Sequence, residues 1–186
     1  MGLGISSNSA SEAWQHPARA RAVGPQCNFT EGSYIDYRHF DAKDISPRYE
    51  FGFGLTYTTF RYTDLAIRSA KSHSDFKPSR HPYSIWDTAV RVQATLHNSG
   101  STAGAEVAQL YLAIPNSPPK QLRGFEKVKL LPRKSAHLDF ELMWRDLSIW
   151  DVVAQDWKVQ EGQYPVMVGA SSRDIRLTES FKIPHF

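Results

Sequence analysis

The sequence predicts an all-β fold, an antiparallel β-sandwich preceded by an extended N-terminal segment, and three observations carry that prediction. Apolar and polar residues alternate at period 2 in several short runs, turn-forming residues separate those runs, and no convincing amphipathic helix lies between them. Hydrophobic residues make up 41% of the chain and aromatics 12%, enough for a packed core. A length of 186 residues fits one ordinary domain plus an extra segment, and leaves too little for a barrel enzyme with a second catalytic domain.

Residues 1–30 are rich in Ser, Ala, Arg and Gly, contain Pro17 and Pro25, and follow no period, which reads as a mobile leader. Residues 31–62 concentrate rings, among them Tyr34, Tyr37, Phe40, Tyr49, Phe51, Phe53 and Tyr57, punctuated by Gly52 and Gly54. Such a strip cannot form a core alone and needs a surface to lie against. Residues 63–186 carry the sandwich. Val90, Val92, Ala94 and Leu96 alternate with Arg91, Gln93, Thr95 and His97, a half-buried strand closed by the turn Asn98-Ser99-Gly100. Residues 105–114 are apolar on both faces, as in a central strand, and Pro115 ends them. A strand over 121–131 and a turn at Pro132 to Ser135 follow, and then Ala136, Leu138, Phe140 and Leu142 alternate with His137, Asp139 and Glu141. Tyr164, Val166, Val168 and Ala170 share one face of a strand that Pro165 assigns to an edge or a strand start. Ile175, Leu177, Phe181 and Ile183 complete about seven strands, an immunoglobulin-like or fibronectin-like count.

Charge and cysteine usage narrow the function classes. The 22 basic and 19 acidic residues are interleaved, so nucleic acid is not an expected partner. No run of about 18 apolar residues exists, so no membrane-spanning helix is expected, and residues 1–15 lack the apolar core of a secretory signal. Cys27 is the single cysteine, which excludes an intrachain disulfide. Two short patterns disagree about the compartment: Met1-Gly2-Leu3-Gly4-Ile5-Ser6 fits a loose myristoylation pattern, and Asn28-Phe29-Thr30 is a glycosylation sequon of the secretory pathway. The sequon is favoured, because nothing polybasic follows the first pattern to supply a second membrane signal. Asn28 is therefore the glycosylation candidate.

Several stretches occur in an order that resembles one family. EGSYIDYRHFD at 31–41 followed by PRYEFGFGLTYTTF at 47–60 is similar to the end of the α/β-sandwich domain of fungal family 3 β-glucosidases. GAEVAQLYLAIP at 104–115, KQLRGFEKVKL at 120–130, RDLSIWDVVAQDW at 145–157 and VGASSRDIRL at 168–177 resemble that family's fibronectin type III-like domain. The resemblance implies a retaining glycosidase whose nucleophilic aspartate and acid/base glutamate lie on parts with no counterpart here. A retaining mechanism needs two carboxyls about 5 Å apart, one ionised and one protonated. The implied function is thus a noncatalytic accessory module of a β-glucosidase, active in cellulose or β-glucoside degradation, that stabilises the catalytic domains or contacts polymeric plant cell-wall substrate. The alternative is a free-standing secreted binding protein for glycan, lignin or a protein partner, and residual hydrolase activity ranks last. The resemblance also implies an extracellular location. Two departures stand out: Arg133 occupies a turn position where relatives usually place Gly, and Pro165 replaces a residue able to donate in a strand.

No catalytic, cofactor-binding or metal-binding residue is expected. Ser74-Asp75-Phe76 looks superficially like the family's nucleophile triplet but lies in a polar stretch beside His73, Lys77 and Pro78. Asp36, His39 and Asp41 could be drawn as an acid/base set, yet pairing among Arg38 and the two aspartates, or with a neighbouring domain, fits the spacing better. The seven histidines show no metal-ligand spacing. Trp144, Trp150 and Trp157, with Trp86, are the candidate surface-binding residues, since indole faces suit sugar C–H faces; core packing is the competing role. The strip 31–62, once free of a covering domain, is expected to be exposed, dimerised or folded back on the sandwich, and a homodimer through it is one expectation.

Overall fold

The structure, a computed structural model, describes residues 30–69 and 84–184. The expected leader, Cys27, Asn28, the Met1-Gly2 pattern and the Ser74-Asp75-Phe76 triplet lie outside them. The chain divides between residues 32 and 33; of the first unit only a turn at 30–32 is described, and all that follows concerns the second.

That unit is an antiparallel sandwich of a three-stranded and a four-stranded sheet, with a separate two-stranded hairpin. In chain order come α1 (Tyr37–Ala42), β1 (Phe60–Ser69), β2 (Thr88–Asn98), β3 (Gly104–Leu112), β4 (Gln121–Leu130), β5 (Ser135–Met143), a 3-10 turn (Trp144–Leu147), β6 (Ser148–Asp151), β7 (Asp156–Val159), β8 (Gly162–Gly169) and β9 (Ile175–Ile183). The smaller sheet runs β1-β2-β5 and the larger β4-β3-β8-β9. In β2 and β5 the alternation read from the sequence is the burial pattern: Val92 opposes Phe140, Ala94 opposes Leu138 and Leu96 opposes Ala136. Those side chains meet Ala108, Leu110, Leu112, Val166 and Val168 of the larger sheet in one apolar core. Facing outward, Arg91 pairs with Glu141, and His97 Nδ1 lies 2.9 Å from Ser135 Oγ.

The turn after β2 works as a joint. Asn98 is fully buried, and its side chain meets four partners: Nδ2 donates to Thr102 O at 2.8 Å and Leu130 O at 3.2 Å, while Oδ1 accepts from Thr58 Oγ1 at 2.7 Å and Gly100 N at 3.1 Å. A buried amide so fully satisfied fixes the turn and ties the start of β1 to the end of β4. Next to it, Arg133 adopts φ 62°, the left-handed conformation that a glycine would take without strain. Its backbone N–H donates to Asn98 O and its guanidinium to Ser99 O, so the turn keeps its shape despite the side chain.

Three local findings differ from the pattern-based expectations. The segment expected to be extended contains α1, whose first N–H donors, from His39 and Phe40, bond to Asp36 O. The stretch 145–157, read without strands, forms the β6–β7 hairpin with Trp150 opposite Trp157. Finally, Pro165 does not mark an edge or a strand start: β8 lies between β3 and β9, and Pro165 is its fourth residue. Proline is tolerated there because ladder pairing with β3 stops at Leu112 opposite Val166, and because Pro165 O on that same side still accepts from Ala113 N at 3.0 Å.

Candidate functional site

The outer face of β3 explains why that strand is apolar on both sides. Ala108, Leu110 and Leu112 point into the core, whereas Gln109 and Tyr111, also buried, point the other way and are covered by residues 37–53. Tyr37 stacks on Phe51 with centroids 4.5 Å apart and meets Tyr111 edge-on at 6.0 Å. Its hydroxyl accepts from Leu122 N at 2.8 Å. Gln109 Nε2 donates to Gly52 O at 3.0 Å and Ala170 O at 2.7 Å, and Tyr111 Oη donates to Gln109 Oε1 at 2.5 Å. Burial pushes the Tyr111 hydroxyl well above its ordinary value, so it stays a donor. Gly52 is required twice over: it sits at φ 82°, and a Cβ there would lie 2.1 Å from the Gln109 amide.

Polar contacts complete the clamp. Ser172 N donates to Phe51 O at 2.8 Å, and Ser171 Oγ donates to Glu50 Oε1 at 3.1 Å. Asp41, whose side chain is 10% exposed, accepts from Arg173 Nε at 3.2 Å and lies 3.3 Å from Lys120 Nζ, so one carboxylate links the loop before β4 to the turn after β8. Of Asp36, His39 and Asp41, the structure engages Asp41 with two cations of the sandwich, neither of which the sequence pointed to.

Beyond Gly52 the chain arches away from the sheet. Leu55 and Tyr57 are 91% and 98% exposed, and Tyr49, Phe53 and Phe125 also face outward. Arch and sheet enclose an open groove of about 740 Å³ floored by Val107, Gln109 and Phe125. Glu106 lies on its wall. Burial raises this carboxyl above the ordinary glutamate value, partly opposed by the hydrogen bond that Tyr62 Oη donates at 2.9 Å. Among the described residues no group of three His, Cys, Asp or Glu side chains could hold a metal.

The four candidate tryptophans separate. Trp144 packs against the core. Trp150 and Trp157 meet edge-on across the hairpin at 5.6 Å, and the Arg145 guanidinium lies 5.1 Å from the Trp157 ring centre and 5.4 Å from that of Trp86. Trp86 and Trp150 remain exposed.

With this geometry in hand, residues 106–172 match the family model of the fibronectin type III-like domain. The β-glucosidase cel3A of Pyricularia oryzae is 63% identical over 159 residues, 86% of this chain and 20% of the relative. Crystal structures of β-D-glucoside glucohydrolase from Trichoderma reesei and of β-glucosidase D2-BGL from Chaetomella raphigera superpose with TM-scores of 0.78 and 0.77 at 43% and 46% identity. These alignments cover 86% and 84% of this chain but 24% and 23% of those proteins. The chain fits the C-terminal part of a family 3 β-glucosidase. It spans about a fifth of the length of the curated relatives it matches.

Proposed function

We infer that this chain is a noncatalytic accessory module of a family 3 β-glucosidase, which braces the catalytic domains through the aromatic arch. The observation that carries this reading is the contrast along residues 37–57: the part over β3 is tied down, whereas Leu55, Tyr57, Tyr49 and Phe53 face outward around a groove. A contiguous apolar surface of this kind marks a docking face. The relatives supply the occupant, since about four fifths of their length lies outside the matched region. The module works beside those domains, in the extracellular setting of fungal β-glucosidases, with no hydrolysis of its own. A homodimer through the arch is the arrangement open to a chain without that neighbour.

Incubating the chain with a chromogenic β-glucoside tests the noncatalytic part: no release above buffer is expected. Saturable turnover abolished by substituting one Asp or Glu would overturn it. A second reading, contact with polymeric cell-wall substrate, is favoured by the exposed indoles of Trp86 and Trp150, and retention on cellulose or lignin tests it.

A further inference from the structure

Among the described residues, the Arg145 guanidinium lies over the rings of both Trp86 and Trp157. Arg145 is fixed by its backbone, its N–H donating to Ile85 O at 2.9 Å while Trp144 N donates to Asp87 O at 3.2 Å, so the turn carrying Trp86 and the turn carrying Arg145 are tied together. Trp157 is fixed by its register opposite Trp150. The guanidinium thus rests between two indoles, with a third beside them, and two of the three are substantially exposed, Trp86 at 59% and Trp150 at 45%. Indoles serving only the core would be less exposed, as the half-buried Trp144 packed against it is.

Among the described residues no carboxylate lies within ion-pairing distance of Arg145. Among those residues its side-chain donors, five in any arginine, meet no acid. A neighbouring arginine adds to the local excess: Arg123 is held below its ordinary value by burial, with Asp146 opposing and Arg145 contributing in the same direction as burial.

We propose that the Trp86–Arg145–Trp157–Trp150 cluster binds saccharides that carry a carboxylate, that is, uronic-acid sugars. The indole faces take the C–H face of the pyranose, and the guanidinium takes the carboxylate through paired hydrogen bonds. The Arg145 guanidinium held among aromatic rings, with Arg123 near it, matches the spaced carboxylates of an acidic sugar; a nucleic-acid strand, the other stacking anion, asks for a track of cations along its phosphates. This rests on the polymer-contact reading and sharpens it to acidic sugars.

The test is an indole-fluorescence titration of the whole chain with a xylo-oligosaccharide bearing one glucuronic acid, run beside the same sugar with its carboxyl reduced to the alcohol. The acidic sugar is expected to bind about tenfold or more tightly than the reduced one, the share of a charge-assisted contact. Arg145→Gln should bring it down to the level of the reduced sugar with an unchanged melting temperature, and Arg145→Lys should fall between. Equal binding of both sugars would overturn the inference and leave the polymer-contact reading standing. Binding of neither sugar, together with no retention on cellulose or lignin, would overturn both and leave Arg145 to an acidic protein surface. Should Arg145→Gln fail to fold, the comparison of the two sugars on the unaltered chain decides alone.

Discussion

The two faces of the four-stranded sheet are both covered, but by different means. On the inner face Leu110, Leu112, Val166 and Val168 meet the other sheet in a dry apolar layer, each fully buried. On the outer face the cover is a single strip, held by Gln109, Tyr111, Asp41 and one ring stack, which leaves the groove edge open. Non-directional burial makes the sandwich self-sufficient; a few directional contacts position the strip while leaving much of its apolar surface unspent.

The largest effect is expected on the inner layer. Leu138→Ala should cost about 2–5 kcal/mol in denaturant unfolding, the usual cost of a cavity where the surroundings cannot collapse. A loss under about 1 kcal/mol would mean that the two sheets are not packed as described.

Removing the clamp should cost less and act elsewhere. Asp41→Ala leaves Lys120 and Arg173 facing each other without their shared carboxylate, at about 1–3 kcal/mol. Its sharper signature is local: residues 37–53 should become sensitive to protease while β2 and β5 keep their hydrogen-exchange protection. Equal loss of protection in both regions would erase the distinction.

These regions also differ in how far the sequence reveals them. Strands β2 and β5 are legible because one-sided burial writes period 2 directly into the residues. The two-sided burial of β3 was equally plain, although what covered its outer face was not. Asp41 could not be matched to Arg173 by any local spacing, since the two are 132 residues apart, and the same holds for Arg145 between Trp86 and Trp157. The β6–β7 hairpin was missed because its strands are four residues each, too short for a period to emerge. Pro165 misled because its effect depends on where the neighbouring strand ends, which is a tertiary fact. Arg133 was foreseeable in kind: the missing glycine announced a strained turn, and φ 62° is that strain.

Arg133→Gly should therefore stabilise the chain by up to about 1 kcal/mol, offset in part by the lost bond to Ser99 O, and a thermal melt reads it. Destabilisation would show that the arginine contacts outweigh the backbone strain. The smallest effect concerns Glu106. Its carboxyl is raised above 4.5, so the folded chain holds this proton more tightly than the unfolded chain does. Its contribution is therefore complete below that value and declines as pH climbs through the folded one. Glu106→Gln should remove the decline, gaining stability relative to the parent as pH climbs above the ordinary glutamate range. A variant whose melting curve keeps the parent's pH dependence would show that this carboxyl does not sense its burial.

The bracing role depends on the arch being a docking face. The decisive measurement replaces the matching segment of the Pyricularia oryzae β-glucosidase with this chain, with and without Leu55→Asp and Tyr57→Asp, and compares melting temperatures. Both side chains are almost wholly exposed, so the double variant should melt with the parent in the isolated chain, within about 0.5 kcal/mol, yet well below it in the chimera. Equal melting of the two chimeras would contradict the claim that this face braces the catalytic domains.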